Sequence, residues 1–228
     1  MPTQSTKKKS LKKTLHPFKS VESFLSQSDY QYFIGIDEVG AGCLAGSLNC
    51  AAFLLDLSED WIHSEIPRCY DSKKLNISEK TDFVSFVKNK KLKHAVVEIT
   101  PKEIDHLNIY QSRMEGMYRA YKKLVASAEG ALNLKKTLVL IDGPVKPKQF
   151  QVESVELHAE SRGDQKYFPI AAASILAKTE RDKVMKNLSE DFPQYSWETN
   201  VGYPTPAHKK AIQEHGITPY HRRSFRCN

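Results

Sequence analysis

Two adjacent carboxylates, Asp37 and Glu38, come directly after an apolar run in the segment YFIGIDEVG. A β-branched and aromatic run of this kind predicts a buried strand, so both acids would be delivered at its end. Carboxylates held close together repel each other, and they either raise their pKa values or recruit a hard cation that prefers oxygen ligands. The pattern therefore points to a site for Mg²⁺ or Mn²⁺.

Two further acids follow predicted strands. Asp142 comes directly after the apolar run TLVLI, and Asp164 lies in the charged loop of residues 160–166. Open α/β sheets form their sites outside the carboxyl ends of the strands, which is where Asp142 would lie. Spacing alone does not single out these acids among 27 acidic residues, and an aspartate that only begins an Asp-Gly turn would look the same at position 142.

Glycines surround the first acidic pair, at positions 35, 40, 42 and 46. Glycine has no Cβ and takes positive φ, so this segment can turn sharply and let another group come close. Other polar residues have ordinary structural explanations: Lys73 as a solvated surface lysine and Tyr203 as a packed aromatic of a Gly-Tyr-Pro turn. Ser174 and Lys178 lie four residues apart and would share one face of a helix.

Strand patterns alternate with helix patterns along the chain, which predicts an α/β fold. The predicted strands cover residues 32–36, 47–55, 94–99, 137–141 and 152–157. The predicted helices cover residues 78–88, a short turn from 101, residues 109–127, a long helix from 169, and residues 206–215. The last 40 or so residues are rich in aromatic and turn residues and are expected to form a helical appendage.

The composition, with 228 residues, 40% hydrophobic and 27% charged, fits one medium globular domain. No run approaches the roughly 18 apolar residues of a membrane span, and no signal peptide is visible, so we expect a cytoplasmic protein with no membrane partner. The four cysteines lack zinc-ligand spacing and are expected to be reduced packing residues.

The net charge of +7 favours a polyanionic partner. Six lysines lie within the first 20 residues, in a polar leader that shows no periodicity and is expected to be disordered. A solvated tail and a nucleic-acid-binding arm are both open for this leader. Near the other end, His221, Arg222 and Arg223 could bind phosphate or could pin the tail to the body of the protein through a salt bridge.

Five segments stand out by their order and separation: GIDEVGAGCLAG, DSKKL, IDGP, GDQKYFPIAAASILAKTERDKVM and VGYPTPAHKKAIQEHGITPYHRRSF. Together they resemble the bacterial type 2 ribonucleases H, the ribonuclease HII family, over nearly all of residues 35–225. The resemblance implies a ribonuclease H-like fold: a five-stranded mixed sheet flanked by helices, with strands one to three antiparallel and the later strands parallel. With the basic leader (1–29), which the resemblance does not cover, the chain would have three regions: the leader, a catalytic domain (30–188) and a C-terminal helical segment that contacts substrate (189–228).

The same resemblance implies an endonuclease that cleaves the RNA strand of RNA/DNA hybrids, and ribonucleotides embedded in duplex DNA. Two divalent ions, Mg²⁺ or Mn²⁺, would support hydrolysis to 5′-phosphate and 3′-hydroxyl ends, and the protein is expected to be a monomer. The implied catalytic metal ligands are Asp37, Glu38, Asp142 and Asp164. The implied substrate contacts are Gly40, Ala41 and Gly42 at the ribose, Lys73, Ser174 and Lys178 at phosphates, and Tyr203 stacked on a sugar.

Ala41 departs from the family pattern, which usually has arginine between the two glycines. Loss of a charge-assisted contact would weaken substrate binding by roughly 1.5–3 kcal/mol, so substrate affinity and junction preference stay open. A non-catalytic or altered-specificity nucleic-acid-binding member, and another nuclease of the superfamily such as a junction resolvase, are the alternatives. A type 3 enzyme is not expected, because only about 30 residues precede the first strand, fewer than a further domain needs.

The acidic pair also presents a geometric conflict. Adjacent residues of a regular strand point to opposite faces, so Asp37 and Glu38 cannot both reach one site from ideal β geometry. The strand is therefore expected to end or bulge at this pair, with Gly40 and Gly42 absorbing the distortion.

Overall fold

A five-stranded mixed sheet forms the centre of the computed structural model, which describes residues 24, 29–63, 66–69, 72–128, 130 and 132–226. The expected leader of residues 1–29 lies outside the described residues, apart from Phe24 and Asp29. The strands are β1 (Tyr32–Val39), β2 (Leu48–Asp56), β3 (His94–Ile99), β4 (Thr137–Asp142) and β5 (Glu156–Glu160). The helices are α1 (Ile77–Asn89), α2 (Pro101–Leu107), α3 (Ile109–Ser127), α4 (Phe168–Asp191), α5 (Trp197–Asn200) and α6 (Pro206–His215).

The strand order is β3-β2-β1-β4-β5, with β1 in the middle. β1 pairs antiparallel with β2, and β2 antiparallel with β3, whereas β4 runs parallel to both β1 and β5. The predicted fold class and strand directions are confirmed. Because β1 lies between two partners and is buried on both faces, its acidic end is held at the centre of one sheet edge.

One helical layer covers each face of the sheet, and glycine allows the closest approach in both layers. On the first face, a Cβ at Gly35 of β1 would collide with the backbone of Pro169, so α4 begins directly against the central strand. On the second face, a Cβ at Gly116 of α3 would lie 2.5 Å from Sγ of Cys50 on β2. Each layer encloses its own apolar core, one around Phe33 and the other around Ile34.

Two elements begin at residues other than those predicted, each for an identifiable reason. The fifth strand was expected at residues 152–157, but Lys148–Val152 form a 3₁₀ turn and β5 covers Glu156–Glu160. Val152 is 82% exposed, and the parallel pairing with β4 begins only at Glu156, so this pairing and not the composition of the segment sets where the strand starts. Helix α1 begins one residue earlier than Ser78, because Asn76 is its N-cap and forms a reciprocal capping box with Glu79.

The C-terminal segment packs onto the body through a third apolar cluster. Met185 of α4 and Ala45 lie in this cluster with Tyr195, Trp197 and Ala211. Nε1 of Trp197 donates to Nε2 of His208 at 3.1 Å, inside the same cluster. Helix α4 continues to Asp191, past the boundary expected at residue 188, so the appendage and the catalytic layer share one helix. None of the helices in the described part of the chain is long and apolar enough to cross a membrane.

Candidate active site

The acidic end of β1 is regular, which corrects the expected bulge. Asp37 is in register with Ala51 of β2, and Glu38 with Cys50, so the strand alternates normally through both acids. The pairing of β1 with β4 stops at Ile36 and Ile141, and both acids therefore extend past the last parallel pair. The two side chains therefore point to opposite faces of the sheet, and each lies close enough to Asp142, at the end of β4, for that charge to raise its pKa.

Asp37 faces the α4 layer and is only 6% exposed. It is hydrogen-bonded to Ser174 of α4, and its Oδ1 accepts from the backbone N–H of Glu38 at 2.7 Å. Burial, followed by the charges of Glu38 and Asp142, raises the pKa of Asp37 well above its usual range, although the two hydrogen bonds oppose this shift. Three carboxylates are thus close enough to influence one another.

Glu38 faces the α3 layer, where Arg113 holds it. Nε and Nη2 of Arg113 lie 2.7 Å and 2.6 Å from the same oxygen, Oε1 of Glu38. Burial raises the pKa of Glu38, the Arg113 guanidinium opposes that increase, and Asp142 adds to it. Oε2 is buried and has no hydrogen-bond partner among the described residues.

Asp142 ends β4 and is held by a neighbouring turn. Its Oδ1 accepts from the backbone N–H of Gly163 at 2.6 Å. A Cβ at position 163 would lie 2.5 Å from Cδ1 of Ile170 and 3.4 Å from that oxygen, so a larger residue there would have to displace the Ile170 side chain. Asp164, 9% exposed, follows directly in the 3₁₀ segment Gly163–Gln165. The structure thus brings Asp37, Glu38 and Asp142 together and places Asp164 beside the residue that fixes Asp142.

A hard divalent cation fits this donor set. The charges of Glu38 and Asp142 raise the pKa of Asp37, and a bound positive ion would offset this repulsion. Carboxylate oxygen is the ligand that Mg²⁺ and Mn²⁺ prefer. The unpartnered Oε2 of Glu38 is a further donor that the fold has left available. In the described parts of the chain, no three His, Cys, Asp or Glu side chains are already grouped as a metal cage. The four-ligand set therefore stays a prediction.

The glycine loop after β1, residues 40–47, is held in its conformation by two buried arginines. Arg181 of α4 donates to the carbonyls of Ser47, Ala45 and Val201 at 2.9, 3.1 and 2.8 Å. Arg222 donates to the carbonyls of Gly46 and Ala41 at 3.1 and 3.0 Å, and its backbone N–H donates to Leu44 O at 2.8 Å. Both side chains are at most 1% exposed.

Arg222 and His221 therefore pin the tail, and they do so through backbone carbonyls and a β-bridge between Ala45 and His221. The expected salt bridge is replaced by these contacts for Arg222, whose burial lowers the pKa to about 10. Arg223 is exposed, and its backbone N–H donates to Asp105 at 3.0 Å.

The three residues of the predicted ribose contact differ in what surrounds them. Gly40 has φ of +95°, and a Cβ there would collide with Arg181, so this position needs glycine for structural reasons. Gly42 is exposed with open space where a Cβ would lie, and its φ does not require glycine. Ala41 packs against the core on the α3 side. Local structure thus explains Gly40 and leaves the glycine at 42 unexplained.

The predicted phosphate contacts lie along one side of α4. Oγ of Ser174 lies 2.9 Å from Oγ of Ser72, which ties the turn that carries exposed Lys73 to this helix. Lys178, one turn further along, forms an ion pair with Asp182 at 2.6 Å. Ser174 therefore connects Asp37 to the lysine-bearing turn.

Tyr203 lies beside the glycine loop and is 39% exposed. The carbonyl of the preceding Gly202 accepts from the N–H of Leu44 at 2.8 Å, and the Tyr203 hydroxyl is hydrogen-bonded to Cys43. Burial raises the pKa of Tyr203. The ring that the resemblance assigns to sugar stacking is thus anchored at its hydroxyl end.

Arg113, Arg181 and Arg222 were not among the predicted site residues. Arg113 lies in helical phase with buried Met117, Ala120 and Leu124, so a charge on the apolar stripe of α3 was the available signal. Arg181 likewise follows Ser174 and Ala177 on the buried face of α4. A charged residue is almost never buried without a partner, so both positions could have been singled out.

Carboxylates gathered at the carboxyl end of the central parallel strands of such a sheet are suited to bind divalent ions, which metal-dependent nucleases use for phosphodiester hydrolysis. The sequence profile described as Ribonuclease HII matches residues 34–228. A protein described as Ribonuclease HII from Pelodictyon phaeoclathratiforme is 39% identical over 193 residues, which cover 84% of this chain and 88% of the relative. The chain therefore belongs to the ribonuclease HII family.

Solved structures agree with this assignment. The crystal structure of ribonuclease H2 from Pyrococcus horikoshii OT3 has a TM-score of 0.66 and 25% identity, covering 86% of this chain and 94% of that one. Bst-RNase HIII in complex with Mn²⁺ has a TM-score of 0.64, with 89% of this chain and 70% of that chain covered; at 20% identity it supports the fold alone. The predicted family, fold and enzyme class are confirmed: this is a metal-dependent ribonuclease H, with RNA/DNA hybrid as its substrate.

Proposed function

We propose that this enzyme cleaves the RNA strand of RNA/DNA hybrids and also single ribonucleotides embedded in duplex DNA. The supporting observation is the convergence of Asp37, Glu38 and Asp142 at one sheet edge, next to a glycine loop that carries an exposed Gly42. The products would carry 5′-phosphate and 3′-hydroxyl ends. We also propose that the protein acts as a cytoplasmic monomer.

Two divalent ions, Mg²⁺ or Mn²⁺, would supply an activated water and stabilise the leaving oxygen of an in-line displacement. Asp37, Glu38, Asp142 and Asp164 would hold these ions. Asp37 and Glu38 approach from opposite faces of the sheet, and Gly163 fixes the orientation of Asp142 through its N–H. The donor set is therefore held by three separate segments of the chain.

The glycine loop would read the ribose. The 2′-hydroxyl is the group that distinguishes RNA from DNA at a given position, so an enzyme selective for ribonucleotides must contact it. Gly40, Ala41 and Gly42 would place backbone groups against this hydroxyl, because no side chain at Gly42 obstructs the approach. The carbonyls of Ala41 and Gly46 are already bonded to Arg222, which fixes the conformation of the loop.

Side chains around the acids would position the rest of the duplex. Lys73, Ser174 and Lys178 would contact phosphates, and Tyr203 would stack on the sugar beside the scissile junction. We assign residues 30–188 to the catalytic domain and residues 189–228 to the substrate-contacting segment that carries Tyr203. The basic leader, residues 1–29, would add sequence-independent attraction to the duplex.

A cleavage assay tests this proposal. Purified protein is incubated with a DNA duplex that contains one ribonucleotide, with an RNA/DNA hybrid and with an all-DNA duplex, each with Mg²⁺, with Mn²⁺ and with EDTA. We expect cleavage of the first two substrates only, dependent on the metal. The product on the 3′ side of the cleaved bond should be labelled by polynucleotide kinase only after dephosphorylation, because it carries the new 5′-phosphate. Cleavage of the all-DNA duplex would indicate a different nuclease activity.

Asp142→Asn is the matched variant, because it removes one charge and keeps the shape of the side chain. We expect loss of turnover with binding to the duplex retained, measured by fluorescence anisotropy. Asp82→Asn, an exposed substitution on α1, is the control and should leave turnover unchanged. Turnover retained in Asp142→Asn would remove this residue from the site.

A further inference from the structure

Arg113 makes an unusual contact with Glu38. Two nitrogens of its guanidinium, Nε and Nη2, lie 2.7 Å and 2.6 Å from Oε1, whereas Oε2 has no partner among the described residues. A guanidinium commonly grips both oxygens of a carboxylate, one with each nitrogen. Here Nε and Nη2 both donate to Oε1, and Oε2 is buried without a hydrogen-bond partner among the described residues.

A buried carboxylate oxygen without a partner is costly unless something binds it. The Glu38 side chain is 9% exposed, so water does not readily replace the missing partner. Glu38 lies close enough to Asp37 and Asp142 for its charge to act on them. Oε2 of Glu38 is therefore available to bind a positive ion in the acidic site.

We propose that Arg113 is a positioning residue: it holds Glu38 by Oε1 so that Oε2 is presented to the divalent ion. This inference rests on the carboxylate metal site of the proposed function. Residues that orient a metal ligand from behind typically contribute about 10- to 100-fold to metal affinity. Arg113 is suited to this task because it projects from α3, the layer that Glu38 faces, and both of its contacts are with Oε1.

The sign of the effect separates this role from simple electrostatics. If Arg113 acted only as a nearby positive charge, its removal would make cation binding tighter, since like charges repel. If it holds Glu38 in place, its removal frees the carboxylate to rotate, and cation binding becomes weaker. The two explanations thus predict opposite changes in the dissociation constant.

The experiment is a titration of metal-depleted protein with Mn²⁺ by isothermal calorimetry, without nucleic acid. We expect Arg113→Gln to weaken Mn²⁺ binding by about tenfold or more. Arg113→Lys keeps a charge and one donor and should recover part of the affinity. Arg119→Gln is the matched control, because Arg119 lies on the same helix and pairs with Glu103 and Glu115 away from the acids.

Circular dichroism on each metal-free variant establishes that it is folded before titration. Unchanged or tighter Mn²⁺ binding in Arg113→Gln, with normal binding in the wild type, would overturn this inference alone. Equal weakening in Arg119→Gln would also overturn it, because the weakening would then not depend on the contact between Arg113 and Glu38. Absence of Mn²⁺ binding in the wild type itself would instead overturn the metal site of the proposed function.

Discussion

Asp37 is the residue at which stability and function conflict. Its pKa is raised by burial, by Glu38 and by Asp142, so the folded protein binds a proton at this site more tightly than the unfolded chain does. A carboxyl with a raised folded-state pKa lowers the stability of the fold as pH rises above its unfolded pKa. Without metal, the burial of Asp37 therefore lowers the stability of the fold at neutral pH.

Asp37→Asn should consequently stabilise the metal-free protein while it removes activity. Asparagine can still accept from the N–H of Glu38, and it carries no charge. We expect a melting temperature about 2–4 °C above wild type at pH 8, roughly 1 kcal/mol for a domain of this size, measured by thermal denaturation in EDTA.

The gain from Asp37→Asn should shrink as the pH is lowered from 8 to 5, because protonation then neutralises the wild-type carboxyl as well. Asp82→Asn, on an exposed face of α1, serves as the control and should show no such pH dependence. A gain that is constant across this pH range would argue against ionisation of Asp37 as its cause.

Gly42 offers a test of ribose recognition that is free of folding effects. A methyl group at this position would meet no atom within 4 Å, and the backbone φ suits any residue. Gly42→Ala should therefore change stability by less than about 0.5 kcal/mol, and yet lower kcat/KM on a ribonucleotide-containing duplex by about tenfold. Steady-state cleavage and thermal melting measure the two quantities.

Gly40→Ala is the contrasting variant for this prediction. Its φ of +95° and the nearby Arg181 side chain mean that alanine there should lower the melting temperature as well as the turnover. Full activity in Gly42→Ala would show that the ribose does not approach the backbone at position 42.

At the scale of single residues, the sequence predicted the acids and missed the arginines that hold the site in place. Asp37, Glu38 and Asp142 lie at the ends of apolar runs, which makes them candidates, and the five ordered segments that resemble the family single them out. Arg113 contacts a residue 75 positions away, and that pairing depends on how α3 docks against β2. Periodicity shows that a charge lies on the buried stripe, but it does not show which carboxylate the charge meets.

At the scale of elements, the loop of residues 40–47 owes its conformation to contacts with helix α4 and with the tail after α6. Arg181 reaches it from α4, and Arg222 reaches it from the tail after α6. Each guanidinium donates to carbonyls that would otherwise be buried without partners. The conformation of the loop is thus set by residues more than 130 positions away in sequence.

Arg222→Lys should loosen this loop. Lysine has no planar fork, so it cannot donate to the carbonyls of Gly46 and Ala41 in the same geometry. We expect a loss of roughly 1–3 kcal/mol in the free energy of unfolding, from denaturant titration, together with reduced turnover.

Arg223→Lys, the exposed neighbour, is the control for Arg222→Lys and should leave both quantities unchanged. If the Arg222→Lys variant proves as stable and as active as wild type, the loop must hold its shape without these contacts.

Elements with strong local signals were predicted to the residue. The bounds of β3, α3 and α6 agree with the structure, because alternation, periodicity and first-position proline each mark them. The position of β5 was wrong because its pairing partner, and not its own composition, decides where it lies. The expected bulge in β1 was wrong for a similar reason: the site is at an open edge, which a strand considered alone does not reveal.

At the scale of the whole molecule, charge is distributed unevenly. Residues 1–20 of the leader carry six lysines and no acidic residue, so they contribute six of the seven net positive charges and the chain after residue 20 is almost neutral. Attraction between protein and phosphate backbone is salt-dependent, because each contact releases condensed counterions. The leader, and not the folded body, should therefore dominate that attraction.

Deletion of residues 1–20 should weaken duplex binding at low salt and leave kcat unchanged, because no predicted site residue lies there. Each lysine that contacts a phosphate adds about 0.9 to the slope of log K against log salt, and we expect the slope to fall by at least one such contact. Fluorescence anisotropy in EDTA measures the slope.

A glycine-serine leader of equal length is the control for this deletion, and it should behave as the deletion does. An unaltered slope would mean that the leader is only a solvated tail.

The opposite orientations of Asp37 and Glu38 have a consequence for how the enzyme is made. One acid depends on α4 through Ser174, and the other on α3 through Arg113, so neither helical layer alone can complete the site. Residues of α4 are also among the last of the body to leave the ribosome. A partly synthesised or half-unfolded chain therefore lacks a complete active site. It should not cleave nearby nucleic acid until both helical layers have packed against the sheet.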